Sequence, residues 1–433
     1  MEIKKRLSIF LILFFCVSVN IFSLNITKTP LTNPFPSQEN LNNFTKTTSL
    51  DGYDLSELDD TKISLITITP GKEIYSWFGH SAILIEQKDK KAIVYDYGVF
   101  SFNSENFYEH FLEGKMYYLL IPSYADSRLQ VAIDEDRTVS KVELNIPDEK
   151  KIDIINFLNY NSQSDNNTYL YDFYTDNCAT RIRDIFNWAT DNKFKEWAQN
   201  QYTPFSFRDL SIKQLDNSLF VNWVLNSFLG PSCDVKNTAW ENMFSPEFLE
   251  KSIMEYEHFN ANKTIIYSSN TSIQFKEFRK TKHHLLFYCA IGLLLGLLGL
   301  LLKTFKQDNE LALYGIYNSI ILFFLFIISL FIFYFVFFSN IQPTYNNENI
   351  FFFNPFIYLI LFISAITTIS SKKDSTFRLF IFEKLISLYS LYLIVFIVLK
   401  NILTNSLYQQ NYTIILPLFL FFSIQGILLT TKR

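Results

Sequence analysis

The stretch His283–Lys303, HHLLFYCAIGLLLGLLGLLLK, decides what kind of protein this is. Its apolar part, about residues 284–302, is long enough to cross the hydrocarbon core of a bilayer, which takes about 20 helical residues. Four further apolar stretches follow, at about 311–338, 350–370, 377–399 and 412–430. In the other direction the character reverses, because charged residues crowd the chain before 283 and nearly vanish from the apolar runs after it. A chain of 433 residues that is 49% hydrophobic and 18% aromatic therefore reads as two units of different kinds. The second, 283–433, is expected to be a five-helix transmembrane bundle. The net charge of -4, with no basic stripe in the polar part, argues against nucleic acid as a partner.

The chain opens Met1-Glu2-Ile3-Lys4-Lys5-Arg6 and continues with mostly apolar residues from Leu7 to Leu24. Those are the charged and hydrophobic regions of an export signal, cleaved or retained as an anchor. Residues 25–60, rich in Asn, Thr, Ser and Pro, lack the apolar surface needed to fold alone and read as a flexible linker. Loop charges agree with export. With 25–282 outside, Lys303 and Lys306, then Lys372, Lys373 and Arg378, and the tail Lys432-Arg433 all fall inside, whereas 339–349 and 400–411 carry one lysine between them. This positive-inside pattern predicts a multi-pass protein of the bacterial inner membrane with its C-terminus cytoplasmic. No Asp, Glu or His lies deep within a span, so the usual mark of ion or proton transport is lacking.

The polar region 61–282 begins with short β-type runs. Ile63-Ser64-Leu65-Ile66-Thr67-Ile68-Thr69, Ser81-Ala82-Ile83-Leu84-Ile85 and Ala92-Ile93-Val94-Tyr95 read as strands, the last two joined by the charged turn Lys88-Asp89-Lys90-Lys91. Further strands are expected at Met116 to Ile121 and Val139 to Ile146. Helical spacing starts after Pro147, in Ile152, Ile155 and Leu158, and again after Asp176, in Ile182, Ile185, Phe186 and Ala189. Strands bracketed by helices without βαβ regularity indicate an α+β domain. Residues 205–280 are mixed helical and aromatic and do not resolve into elements.

Two motifs carry chemistry: Trp77-Phe78-Gly79-His80-Ser81-Ala82 and Tyr174-Thr175-Asp176-Asn177-Cys178-Ala179-Thr180-Arg181. The first sets a histidine at the start of a strand after a glycine turn. The second sets a cysteine in the first turn of a helix, where unpaired N–H groups and the positive dipole end lower a thiol pKa. A nearby imidazole then shares an ion pair with the sulfur or holds its proton. The bland alternatives are a packing cysteine, or a disulfide to Cys233. Of the five histidines, His80 is preferred to His110, which sits in the charged segment Glu109-His110-Phe111. Asp96, sixteen residues on, falls on the next strand, where it either orients the imidazole or merely ends the strand. Asp176 reads as the helix N-cap. Asn177 caps or polarises, Arg181 and Arg183 bind headgroups or make surface ion pairs, and Trp77 and Phe78 meet acyl chains or fill the core. No metal-ligand spacing and no glycine-rich phosphate loop appears, so no cofactor is expected.

The segments around Gly79-His80-Ser81-Ala82, Tyr95-Asp96-Tyr97-Gly98, Phe111-Leu112-Glu113-Gly114-Lys115 to Tyr118, and Asn177-Cys178-Ala179-Thr180 resemble those of the Lnb family of lipoprotein intramolecular transacylases. The likeness covers about residues 61–200, and the five expected helices are similar to that family's membrane part. The resemblance implies a circularly permuted papain-like (NlpC-type) domain, with His before Cys in the chain. It implies catalytic Cys178 and His80; Asp96 is the candidate third member, and Trp77, Asn177 and Arg181 remain candidate substrate contacts on their local chemistry. It also implies partners, namely membrane lipoproteins with a diacylglyceryl N-terminal cysteine and the lipid around them. The reaction would move an acyl chain from the glyceryl ester to the α-amine through a Cys178 thioester, giving a lyso-form lipoprotein. Two competing readings stand beside it: a cell-surface thiol hydrolase acting on peptides or esters, and a non-catalytic receptor or scaffold closed by a Cys178–Cys233 disulfide.

Overall fold

The computed structural model describes residues 60–103, 105–271, 273–275, 284–304, 310–369 and 375–426. The signal at 1–24, the linker apart from Asp60, the loop and tail charges Lys306, Lys372, Lys373, Lys432 and Arg433, and the end of the last apolar stretch at 427–430 lie outside the described residues.

Alternating apolar residues build a seven-stranded sheet ordered β6-β4-β3-β2-β1-β5-β9. Its strands are β1 (Lys62–Ile68), β2 (His80–Glu86), β3 (Ile93–Val99), β4 (Tyr117–Tyr124), β5 (Val139–Leu144), β6 (Thr168–Leu170) and β9 (Asn262–Tyr267), and every pairing is antiparallel. A separate pair, β7 (Tyr202–Ser206) and β8 (Lys236–Thr238), lies apart from it. The helices of this part are α1 (Phe107–Glu113), α2 (Ala125–Asp134), α3 (Asp148–Asn161), α4 (Cys178–Ala189), α5 (Lys193–Gln199) and α6 (Phe207–Leu215). Side chains alternate between the faces of a strand, and the sheet is covered on both. Ile66, Ile68, Ala82, Leu84 and Val94 pack with Ala125, Leu129 and Ala132 of α2. The opposite face meets α3, where the Tyr95 hydroxyl donates to Asn159 Oδ1 at 2.6 Å. The α+β expectation holds, and 205–280 contributes the end of β7, all of its partner β8 and the edge strand β9.

The chain divides into two compact units, and the division differs from the expected continuous domain 61–282. Residues 235–271 continue the sheet-bearing unit through α8 (Ala239–Asn242) and α9 (Pro246–Glu255), but 220–234 group with the apolar helices. That segment contains α7 (Leu219–Phe228).

The apolar helices are α10 (Leu285–Thr304), α11 (Glu310–Phe337), α12 (Pro355–Ile369), α13 (Ser375–Ile402) and α14 (Tyr412–Gly426). α10, α11, α13 and the stretch Glu348–Ile369 that ends in α12 are long and apolar enough to cross a membrane; α14 is apolar and shorter within the described residues. Glycines let two of them touch closely: a Cβ on Gly292 of α10 would lie 2.2 Å from the carbonyl oxygen of Pro417 in α14. Glu383, in α13, pairs with Lys303 at the end of α10. The lone lysine of the connections expected outside, Lys400, is buried. Its ammonium bonds the equally buried Glu348 carboxylate at 2.5 Å and the Leu407 carbonyl at 3.2 Å. Glu348 also accepts the Gln409 backbone N–H at 2.7 Å.

Removing one partner of a buried ion pair leaves an uncompensated charge. Lys400→Met is therefore expected to destabilise the detergent-solubilised protein by about 3–5 kcal/mol. Lys400→Met combined with Glu348→Gln, which keeps an acceptor for Gln409, is expected to recover most of that loss. Thermal unfolding of the two variants against the parent measures both, and an unchanged midpoint for Lys400→Met contradicts the role given to the pair.

Candidate active site

The register of one hairpin explains how His80 meets a carboxylate sixteen residues later. Ile83 pairs with Tyr95 and Ile85 with Ile93. Continued to the end of β2, the same register sets Ala82 opposite Asp96 and His80 opposite Gly98. His80 and Asp96 are then diagonal neighbours on one face. His80 Nε2 hydrogen-bonds Asp96 Oδ1, and the second oxygen of the carboxylate accepts from Nε of Arg128 on α2. Asp96 is only 3% exposed.

The cysteine arrives from the other direction. Cys178 is the first residue of α4, and Asn177 is the N-cap: its Oδ1 accepts the N–H groups of Ala179 and Thr180, both at 2.9 Å. Thr180 Oγ1 closes the capping box on the Asn177 N–H at 2.7 Å. The Asn177 amide donates to the carbonyls of Phe173 and Phe244 at 2.8 and 2.9 Å. Asp176, expected as the cap, instead pairs with Arg181, its Oδ2 accepting from the guanidinium at 2.8 Å. The helix start is fixed on both sides, with the N–H of Cys178 itself left uncapped by Asn177.

Gly98 is where the two directions converge. It lies at a register shift between β3 and β4 with φ +93°, a conformation that side chains strain. A Cβ placed on it would be 3.7 Å from Cys178 Cβ, 3.9 Å from His80 Cε1 and 3.8 Å from the Tyr169 hydroxyl oxygen. Gly79 makes the turn into β2 at φ +75°, where any Cβ would collide with Phe275 at 2.5 Å.

Charge follows from this geometry. Burial penalises the His80 imidazolium, but the Asp96 carboxylate and then the Cys178 sulfur outweigh it and push its pKa up to about 9. Burial likewise opposes the Cys178 thiolate; the His80 charge, its hydrogen bond and the Ser81 backbone N–H overcome that and hold the thiol below its ordinary value. Burial would also raise Asp96, yet His80 and Arg128 keep it below the usual carboxylate range. All three shifts run in the direction that favours the charged forms, thiolate, imidazolium and carboxylate.

Of the residues expected to touch substrate, Asn177 spends its Oδ1 on the cap and its Nδ2 on the Phe173 and Phe244 carbonyls. Arg181 is held by Asp176 with its guanidinium 4.4 Å from the Tyr169 ring centre. Trp77 is buried and donates to the Lys72 carbonyl at 3.0 Å. Arg183 lies 4.0 Å over Trp240, and His110 packs edge-on against Tyr117 on the exposed α1. Cys178 and Cys233 are not joined, so the disulfide on which the scaffold reading rested is not formed. Cys233 instead donates to the Pro343 carbonyl at 3.7 Å, within the unit of the apolar helices.

Two participants were not found from sequence. Arg128 had no local signal. Tyr169 is buried, its hydroxyl has no hydrogen-bond partner among the described residues, and burial first, then the Cys178 charge, keep it protonated well above the ordinary tyrosine range. An aromatic strip also leads away from the site. Tyr171, whose pKa is raised by burial and by its neighbours Tyr118 and Cys178, stacks on Tyr118 at 4.3 Å. Tyr118 stacks on Phe100 at 4.8 Å, and Phe100 meets Phe102 at 5.0 Å and Tyr75 at 6.2 Å. The strip ends in water, with Phe102 52% and Tyr75 60% exposed.

Fold and site together define the class: an α+β domain with a cysteine–histidine–aspartate cluster, on a chain that also carries membrane-type helices. Residues 51–213, which include His80, Asp96, Tyr169 and Cys178, match the family model described as the Lnb N-terminal periplasmic domain. The match supports the Lnb-type resemblance read from the motifs, and with helices long and apolar enough to cross a membrane it makes the chain a membrane protein with a periplasmic N-terminal domain. No curated protein and no solved structure matches the chain significantly.

Iodoacetamide is expected to label Cys178 rapidly at pH 7, where an ordinary thiol of pKa about 8.5 is mostly protonated. His80→Ala is expected to move the labelling profile to higher pH, because the largest influence holding the thiol down is removed. Mass spectrometry of the Cys178 peptide follows both. Coincident profiles for the two proteins would show that the imidazole does not charge the sulfur.

Proposed function

We propose that this protein is a thiol-dependent acyltransferase that moves an acyl chain from the glyceryl ester of a membrane lipoprotein's N-terminal cysteine to that residue's α-amine. The observation that carries the reading is the convergence of Cys178, His80 and the Tyr169 hydroxyl around Gly98, within the stretch that matches the Lnb domain.

The Cys178 thiolate attacks the ester carbonyl, the ester C–O bond breaks, and His80 gives its proton to the departing glyceryl oxygen. The α-amine then attacks the thioester, the C–S bond breaks to restore the thiolate, and His80 takes the amine proton. The developing oxyanion is met by the Cys178 N–H at the helix start and by the Tyr169 hydroxyl. The aromatic strip from Tyr171 to Phe102 offers the apolar surface an acyl chain needs, which favours a lipid ester over a peptide bond. Asp96 and Arg128 are positioning residues acting through His80. We read the domain as a circularly permuted papain-like fold. The support is a thiol at the N-terminus of a helix and a histidine, earlier in the chain, on the strand beside it. On this reading the protein resides in the bacterial inner membrane with its C-terminus cytoplasmic, in keeping with Lys303 and Arg378 at helix ends on the side expected inside.

Mass spectrometry of lipoprotein N-termini tests the proposal in cells carrying the parent gene or Cys178→Ala. The expected result is N-acylated, S-monoacylglyceryl cysteine with the parent and diacylglyceryl cysteine with a free amine in the variant. Identical N-termini overturn the transfer, and free fatty acid without N-acylation assigns the pair to a hydrolase. Tyr169→Phe is expected to lower the turnover of purified enzyme by about 10²-fold, the scale of losing one oxyanion donor, while Cys178 alkylation at pH 7 is unchanged. Equal turnover removes Tyr169 from the mechanism.

A further inference from the structure

The helix α7, LFVNWVLNSF, is built inside out for a segment that comes from the extracytoplasmic part of the chain. Its polar side chains Asn222, Asn226 and Ser227 are buried, whereas Phe220 is 62% and Leu225 38% exposed. A soluble surface helix shows the opposite polarity. The arc opposite the asparagines holds Phe220, Val221, Val224, Leu225 and Phe228, without a polar residue.

The buried side is docked through specific bonds. Trp223 Nε1 donates to the Thr413 carbonyl at 3.2 Å and Asn226 to the Thr413 hydroxyl at 3.3 Å. The carbonyl of Ser227 accepts from Asn347 and Asn349 at 2.9 and 2.7 Å, and that of Leu229 from Gln409 at 2.8 Å. The open C-terminal turn of the helix is thus capped by side chains of the connections that precede α12 and α14, as backbone carbonyls require where water is scarce.

The exposed side continues the outer face of a helix long and apolar enough to span a membrane. The Phe220 ring lies 6.0 Å from that of Phe324. Phe324 shares with Ile320 and Phe331 the exposed apolar face of α11, a helix with the length and composition of a membrane span. Phe228 packs edge-on against Phe335 of the same helix at 5.5 Å. A patch of exposed aromatic and aliphatic side chains continuous with a span's outer face has the chemistry of the bilayer interior.

We infer that α7 is a membrane-inserted helix, held to the apolar helices through Trp223, Asn226 and its C-terminal carbonyls, with its Phe220–Leu225 face against acyl chains in the leaflet on the extracytoplasmic side. Its ten residues are too few to span, and the chain enters and leaves on the same side.

Site-specific photolabelling tests this in the full-length protein reconstituted in phosphatidylglycerol–phosphatidylethanolamine vesicles with an alkyne-tagged acyl chain. A benzophenone amino acid replaces Phe220 or Leu225 in turn, Ile320 on the exposed face of a span, or Tyr202, which is exposed on the sheet-bearing unit. Lipid adducts at 220 and 225 are expected to match those at 320 and to exceed those at 202 several-fold. Labelling at the level of 202 overturns the insertion. As a second measurement on otherwise unaltered protein, lipids brominated near the headgroup are expected to quench Trp223 fluorescence, read as the emission lost when Trp223→Phe is compared with the parent. Absence of quenching with labelling at the 202 level leaves α7 outside the bilayer. Neither readout depends on acyl transfer.

Discussion

Asp96 is the anion on which the site rests. Its nearly dry carboxylate binds two cations at once, the imidazolium of His80 on one oxygen and the guanidinium of Arg128 on the other. Adding the Cys178 thiolate gives a row of alternating sign: Arg128, Asp96, His80, Cys178. Its net charge is zero. A single buried carboxylate is costly, and so is a single buried cation; the row is tolerated because every member faces an opposite charge. Sheet register makes the row possible, since a slip of one residue in the β2–β3 hairpin would send Asp96 to the other face of the sheet. The bulge at Gly98 completes it, by leaving out the side chain that would stand between the strand and the start of α4.

Much of this was legible in the sequence because it is local. Alternation of apolar residues marked β1, β2 and β3, and a two-residue period over a short charged turn is enough to put His80 and Asp96 on neighbouring strands. Cys178 was legible as a helix-start residue. The cap was misread by one position, because Asp176 and Asn177 have equal capping chemistry and only the tertiary structure shows that Arg181 claims Asp176. Arg128 and Tyr169 were illegible for a different reason. One is an ordinary arginine on a surface-type helix and the other a tyrosine in a three-residue strand, and their roles exist only through contacts distant in sequence.

The membrane part shows the same division. Length and hydropathy revealed the long helices, and the scarcity of lysine in alternate connections gave an orientation. The single exception, Lys400, is no exception in space, since Glu348 neutralises it inside the fold. What hydropathy missed is α7. It is short, three of its residues are polar, and its meaning lies in which side of it is buried. The polar side faces in, where Asn226 meets the Thr413 hydroxyl, and an apolar side that faces out is what the proposed insertion requires.

The charged row also bears on how one histidine serves two opposite steps in the proposed reaction. Its first duty is to donate a proton, and a pKa of about 9 keeps the imidazole charged at neutral pH. Its second duty is to accept one from the α-amine, for which a high pKa leaves it in the wrong form. Formation of the thioester resolves the conflict. It converts the anionic sulfur to a neutral one, and so deletes both the charge and the hydrogen bond through which Cys178 raises His80. Asp96 alone then supports the imidazolium against burial, and the His80 pKa falls toward the range of a useful base at the step that needs one. When the amide leaves, the thiolate returns and lifts His80 again. The nucleophile thus sets the protonation state of its own partner, and the buried carboxylate keeps the swing from going so far that the imidazole is lost as an acid.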